Sequence, residues 1–272
     1  MTSFHARDGA ASRPDAAPSL FTDLQEQARR LAGSTVFVRL LAALMAADAV
    51  LILLHVLHSL HDMRVIGVDW GADGGGDGFL LESRRFLIDE ELGYGEIFGY
   101  LKSLAIAAAL FACYRRARAP AFAALAFTFA VIALDDSLRI HEFFGNLIAK
   151  GLALGPAFGL RAQDVGELMV WSALGAVVVS ALAYGYRRSN AAARSLASIF
   201  LGLLAVLVFF AVVADMLHIA LAGSFRGAYR VGTVIEEGGE MLTLSLICAA
   251  AVAAARRAIP GRADRVAGRD AP

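Results

Sequence analysis

Six stretches of the chain are apolar enough, and long enough, to cross a bilayer, which takes about 20 mostly apolar residues each. They cover about residues 37–60, 96–114, 119–144, 164–186, 195–221 and 231–256. The third runs on through LDDSLRIHEFF, so its apolar pattern carries acids and a histidine within it. The pattern predicts an all-α fold, a polytopic bundle of six transmembrane helices. The division that follows is residues 1–34 as a tail with an interfacial helix, 35–257 as the membrane domain, and 258–272 as a basic tail.

Outside the spans the pattern changes. Residues 1–18 are polar and rich in Ala and Pro, and read as a disordered tail without a secretory signal. In residues 19–34, Leu20, Phe21, Leu24, Ala28 and Leu31 roughly share one helical face, and Thr22 with Gln25 has capping-box spacing. An amphipathic helix lying in the membrane interface is expected there. The long loop of residues 61–95 contains GADGGGDG, with Asp69, Asp73 and Asp77 four residues apart. It lacks the EF-hand pattern and reads as a flexible acidic loop rather than a calcium site.

Composition agrees with a membrane protein. The 272 residues are 58% hydrophobic with a mean hydropathy of +0.61, against about 45–50% apolar in soluble domains. Cys113 and Cys248 both lie in apolar runs and read as packing residues. The 25 basic and 25 acidic residues balance, and no nucleic-acid partner is expected. Their placement is uneven. Arginines flank the start of the first span and follow the second, fourth and sixth. By the positive-inside rule that side is the cytoplasm, so both termini are expected to be cytoplasmic and the long loop external. The expected location is a bacterial inner membrane.

This topology puts the polar residues of the spans at one depth. Odd spans carry theirs late (His55 and His58; Asp135 to Glu142; Asp215 and His218) and even spans carry theirs early (Glu96; Asp164 and Glu167; Glu236 to Glu240). An ionisable group at the middle of a span costs about 2.5–3.5 kcal/mol on insertion scales, so a collection of them at one depth points to use. Spacings of three or four share a helix face, as in Asp215-x-x-His218 and Glu237-x-x-Glu240. Asp135 and Glu142, seven apart, would also share a side, with Arg139 between them as an internal counter-charge.

So many carboxylates in a small apolar volume cannot all stay ionised. Protonation, pairing with Arg139 or Lys102, or a bound cation can resolve the repulsion. The mixture of histidine with carboxylate favours a divalent metal, iron, manganese or zinc, as one or two ions. The inventory is loosely that of four-helix di-metal proteins. The expected ligands are His141, Glu142, Glu167, Asp215, His218, Glu237 and Glu240, with Asp135, Asp136 and Glu236 as catalytic proton-transfer groups.

Plainer roles account for other positions. His61 and Asp62 read as a solvated helix end, Asp164 as an N-cap, and Gly238 and Gly239 as sites of close helix packing. His55 and His58 stand between interfacial residues and site members. Asp48 lies near the bilayer midplane, where a buried hydrogen bond and a proton-relay step are both readings.

At LDDSLRIHE (134–142) and EEGGEM (236–241) the chain resembles a family of uncharacterised bacterial multi-span membrane proteins, with L-D-E-x-x-x-I-H-E and E-E-x-x-E-M patterns in two helices. The resemblance covers spans three to six and implies the polar site but no reaction. Asp136 stands here where glutamate is usual.

The leading functional expectation is a metal-dependent membrane enzyme, of hydrolase or oxygenase type, acting on a lipid or apolar substrate at the outer leaflet. A proton- or cation-coupled transporter is the first alternative, although the arginine-side halves of spans three to six are almost wholly apolar. A non-catalytic assembly or sensing subunit is the second. Haem is not expected, because a crowd of carboxylates is a poor haem environment.

Overall fold

The computed structural model describes residues 20–62, 84–225 and 227–257. Eight helices appear among them: α1 (Leu20–Ala32), α2 (Thr35–Asp62), α3 (Tyr94–Ala117), α4 (Pro120–Leu138), α5 (Ile140–Gly151), α6 (Ala162–Arg187), α7 (Ala191–Leu221) and α8 (Ala228–Arg256). Six of these, α2, α3, α4, α6, α7 and α8, are long and apolar enough to span a membrane. The polar tail of residues 1–18, the Asp69/Asp73/Asp77 segment and the basic tail from 258 onward lie outside the described residues.

Local chemistry sets the turns. Arg118 takes a left-handed conformation (φ 52°) and closes α3 through its N–H on the Tyr114 carbonyl, and Pro120 opens α4 with its missing donor at a position that needs none. Asn190 caps α7 by accepting the Ala193 N–H at 2.9 Å. Thr22 lies inside α1, so the expected capping box is not what starts that helix.

The largest correction concerns the third span, which ends at Leu138 rather than near residue 144. Arg139 is left-handed (φ 52°), and α5 begins afresh at Ile140. Asp135, 1% exposed, accepts the His141 backbone N–H at 2.9 Å and so caps the new helix across the break. Glu142 therefore shares no helix with Asp135.

α8 is the most enclosed span, packed against α2, α3 and α7, while α2 and α6 present most of their surface outward. Its residues Ala249, Ala250, Ala251, Ala253 and Ala254 are buried. Small side chains there let neighbouring backbones come close, the usual basis of helix association in lipid. Phe122, Phe129, Phe200, Ile106, Leu110 and Ile247 fill the remaining core on the arginine-rich side.

Candidate metal centre

Two groups of His and carboxylate side chains have ligand atoms lying within 4.8 Å of one another: Asp135, Asp136 and His141, and Asp215, His218 and Glu236. Each depends on a departure from regular helix. The first straddles the Arg139 break. The second follows a π-helical segment, Phe209–Ala214, inside α7. One extra residue per turn there rotates Asp215 and His218 relative to the helix below, a device found often at functional sites.

In the first group Asp135 holds both the backbone N–H of His141, at 2.9 Å, and its ring Nδ1, at 3.0 Å. The imidazole also lies 5.3 Å from the Trp171 ring. His141 sits outside the spans. Burial draws its pKa down, but the hydrogen bond and charge of Asp135, with Asp136 and Glu167, outweigh burial and hold it above the ordinary value.

In the second group His218 Nδ1 lies 2.5 Å from Glu236 Oε2. The ring is 4.7 Å from that of Tyr229 and its side chain is only 8% exposed. Its other nitrogen, Nε2, is buried with no hydrogen-bond partner. The imidazole has room because α8 offers Gly232 beneath it, where a Cβ would overlap the ring. Gly239 does the same for the Phe210 ring of the π segment. Gly238, by contrast, would meet only Ile52 at ordinary contact distance.

Two further carboxylates lie near enough to both groups to act on them electrostatically. Glu240 feels Asp136 of the first and Glu236 and Asp215 of the second. Glu167 acts on both His141 and Asp215, and accepts from Gln163 Nε2 at 2.8 Å. Its placement rests on Gly145 and Gly166, where α5 and α6 cross so closely that a Cβ on Gly145 would come within 2.6 Å of Glu167 Cγ.

The remaining expected ligands, Glu142 and Glu237, are not members of the two groups. Arg139 binds Glu142 through two nitrogens and Glu91 at 2.7 Å, so it serves the outside of the site rather than its interior. Glu237 feels Glu240 and Glu236 but also Asp89 and Glu96, and so faces α3 and the turn before it. A small cavity of ≈ 130 Å³ lies at that edge, lined by Glu91, Glu96, Tyr100 and Arg139 among others.

Several other polar positions take defined roles outside the two groups. Asp164 is not the N-cap of α6: it lies at the third helical position and accepts the Arg161 N–H at 2.7 Å and the guanidinium at 2.7 Å. Lys102 is no counter-charge for the cluster. It donates to Asp48 Oδ1 at 2.9 Å, the Met241 carbonyl at 2.9 Å and Ser245 Oγ at 3.3 Å. Ser245 in turn donates to Asp48 Oδ2 at 2.5 Å. His55 is buried, accepts the Ile88 N–H at 3.3 Å and lies 3.6 Å from Asp89.

Asp89 was missed among the acids of the long loop. Its Oδ1 is buried without a hydrogen-bond partner, and Glu236 and Glu237 both feel its charge. No helical spacing could have singled it out, because it lies in a turn. Tyr229 and Trp171, the aromatic walls of the two histidines, carried no sequence signal beyond ordinary apolar positions.

A family model described as Domain of unknown function (DUF8692) matches residues 80–254, more than half of the chain and all of the centre. No curated protein and no solved structure matches the chain.

Proposed function

The chain belongs to the DUF8692 family, and from the residues of its polar centre we propose that it is a metal-dependent membrane enzyme acting on a lipid or other apolar substrate. The reaction class is hydrolytic or oxygen-dependent. One or two ions of iron, manganese or zinc are held among Asp215, His218 and Glu236 and among Asp135, Asp136 and His141, with Glu167 and Glu240 between them. The centre faces the outer leaflet, opposite the arginine-rich side.

The observation that carries this reading is His218. A histidine side chain this buried, oriented by a carboxylate on one nitrogen and unpartnered on the other, is costly unless a cation is its customary company. A bound ion would act as Lewis acid or lower the pKa of a bound water. His141, oriented by Asp135 through Nδ1, would offer its other nitrogen to the ion.

Elemental analysis of the purified chain is the test. It should find one or two equivalents of iron, manganese or zinc, and replacing both His218 and Glu240 by alanine should remove most of it. A metal-free wild type, or metal content indifferent to that double replacement, would sink the proposal.

The transporter alternative draws on one feature, the Asp48–Lys102 pair beneath the centre. Those groups satisfy one another with Ser245 and the Met241 carbonyl, and α8 continues below them as buried alanine. Proton flux in reconstituted vesicles that vanished on Asp48→Asn would favour it.

A further inference from the structure

Helices joined by a short turn ordinarily pack along each other. α6 and α7 do not, although only residues 188–190 separate them. α6 lies on α5 and α4, and α7 on α8, α4 and α1. The turn itself is fixed: Ser189 Oγ accepts the Ala121 N–H and donates to the Gly185 carbonyl, each at 2.9 Å. From that fixed base the two helices part.

An open groove with a volume of ≈ 480 Å³ lies between them, lined by Val179, Leu182, Ala183, Tyr186 and Arg187 of α6 and Ser198 and Leu201 of α7. That is within the size of a small-molecule site, roughly 300–1,000 Å³. Its walls offer hydrocarbon. The polar atoms in them are already used, Ser198 Oγ on the Arg194 carbonyl at 2.9 Å and 3.1 Å from the Tyr186 hydroxyl. Further along the same stripe of α6, a Cβ on Gly175 would meet nothing within 4 Å. Val179 is 57% exposed within a membrane-spanning segment.

One end of the groove is basic. Arg187 is exposed and has no carboxylate partner among the described residues, Arg188 stacks 5.7 Å over Tyr184, and Arg194 follows on α7. An apolar groove on a membrane-spanning segment, ending at the exposed Arg187, matches an acyl chain joined to a phosphate.

We propose that the α6–α7 cleft binds an anionic phospholipid of the arginine-rich leaflet, its chain between Val179, Ala183 and Leu201 and its phosphate on Arg187. This lipid is distinct from any substrate of the carboxylate centre. Arg187 and Glu167 are 20 residues apart in one helix (187 − 167), or about 30 Å at 1.5 Å per residue. One leaflet supplies only about half of a 30 Å hydrocarbon core. The proposal therefore stands whether or not the centre holds metal.

The test is native mass spectrometry of the full chain released from nanodiscs of phosphatidylglycerol or phosphatidylcholine. The wild type should retain one phosphatidylglycerol in preference to phosphatidylcholine. Arg187→Gln should reduce that preference about tenfold, Ala183→Trp should abolish retention of both, and Arg116→Gln, on the same side but away from the cleft, should change nothing. Arg187 is exposed, so its variant reports even if the tryptophan variant fails to fold. Equal retention by wild type and Arg187→Gln overturns the proposal. So does disulfide-linked dimer formation by Val179→Cys without bound lipid, which would make a second copy of the chain the occupant.

Discussion

His218 Nδ1 sits 2.5 Å from Glu236 Oε2, an α7 histidine held by an α8 carboxylate, with the imidazole filling the space a Cβ on Gly232 would take. The contact exists because α8 lacks a side chain where the ring rests. Gly232→Ala should therefore displace the ring without altering a ligand. Metal content, read by elemental analysis, should fall as far as in His218→Ala, while helicity by circular dichroism stays at the wild-type level. Full metal retention would show that the ring position does not matter.

The Lys102–Asp48 pair ties α2, α3 and α8 together in a nearly dry setting, 2% and 0% exposed. Removing one partner from such a pair costs about 3–5 kcal/mol, because it strands the other charge, whereas replacing both by apolar groups can be neutral. Lys102→Met should thus lower the melting temperature sharply, and Asp48→Leu with Lys102→Met should recover most of the loss. Equal destabilisation by the single and double variants would argue against this account.

Arg139 and Asp135 are both charged neighbours of α5, but they should respond differently. The pairs of Arg139 with Glu142 and Glu91 are exposed, and exposed pairs contribute about 0–1 kcal/mol each. Asp135 is buried and holds both the first turn of α5 and the His141 ring. Arg139→Gln should leave thermal stability nearly unchanged, and Asp135→Asn should destabilise by about 1–3 kcal/mol. The contrast can be measured by melting both variants in one detergent.

In the metal-free protein, His141 should titrate above its ordinary value. A raised folded pKa means that the protonated ring stabilises the fold. That contribution is complete below the unfolded pKa of about 6.5 and disappears as pH rises through the folded value. The stability difference between wild type and His141→Gln should therefore shrink from pH 6.5 upward. An imidazole resonance with a midpoint at or below 6.5 would contradict it.

Much of the fold was legible in the chain. Span number and the shared depth of the carboxylates follow from hydropathy and from the cost of charge in lipid, both of which read along one dimension. The break at Arg139 did not. Ile140, Phe143 and Phe144 continue the apolar pattern of α4, and neither proline nor glycine marks a stop. What ends the helix is a carboxylate reaching forward six residues to His141. The π segment is equally silent, since FFAVVA is an ordinary apolar run.

The order of apolar and charged residues gives six helices able to cross a membrane and gathers most histidines and acids toward one end of them, where a charge avoids the cost of about 2.5–3.5 kcal/mol it carries at mid-span. Partner choice is another matter. Asp135 and Asp136 with His141, Asp215 with His218 and Glu236, and Lys102 with Asp48, 54 residues away, are set by helix rotation and crossing distance. Those are decided by where glycines let backbones approach and where an extra residue turns α7, which only the packed bundle can settle.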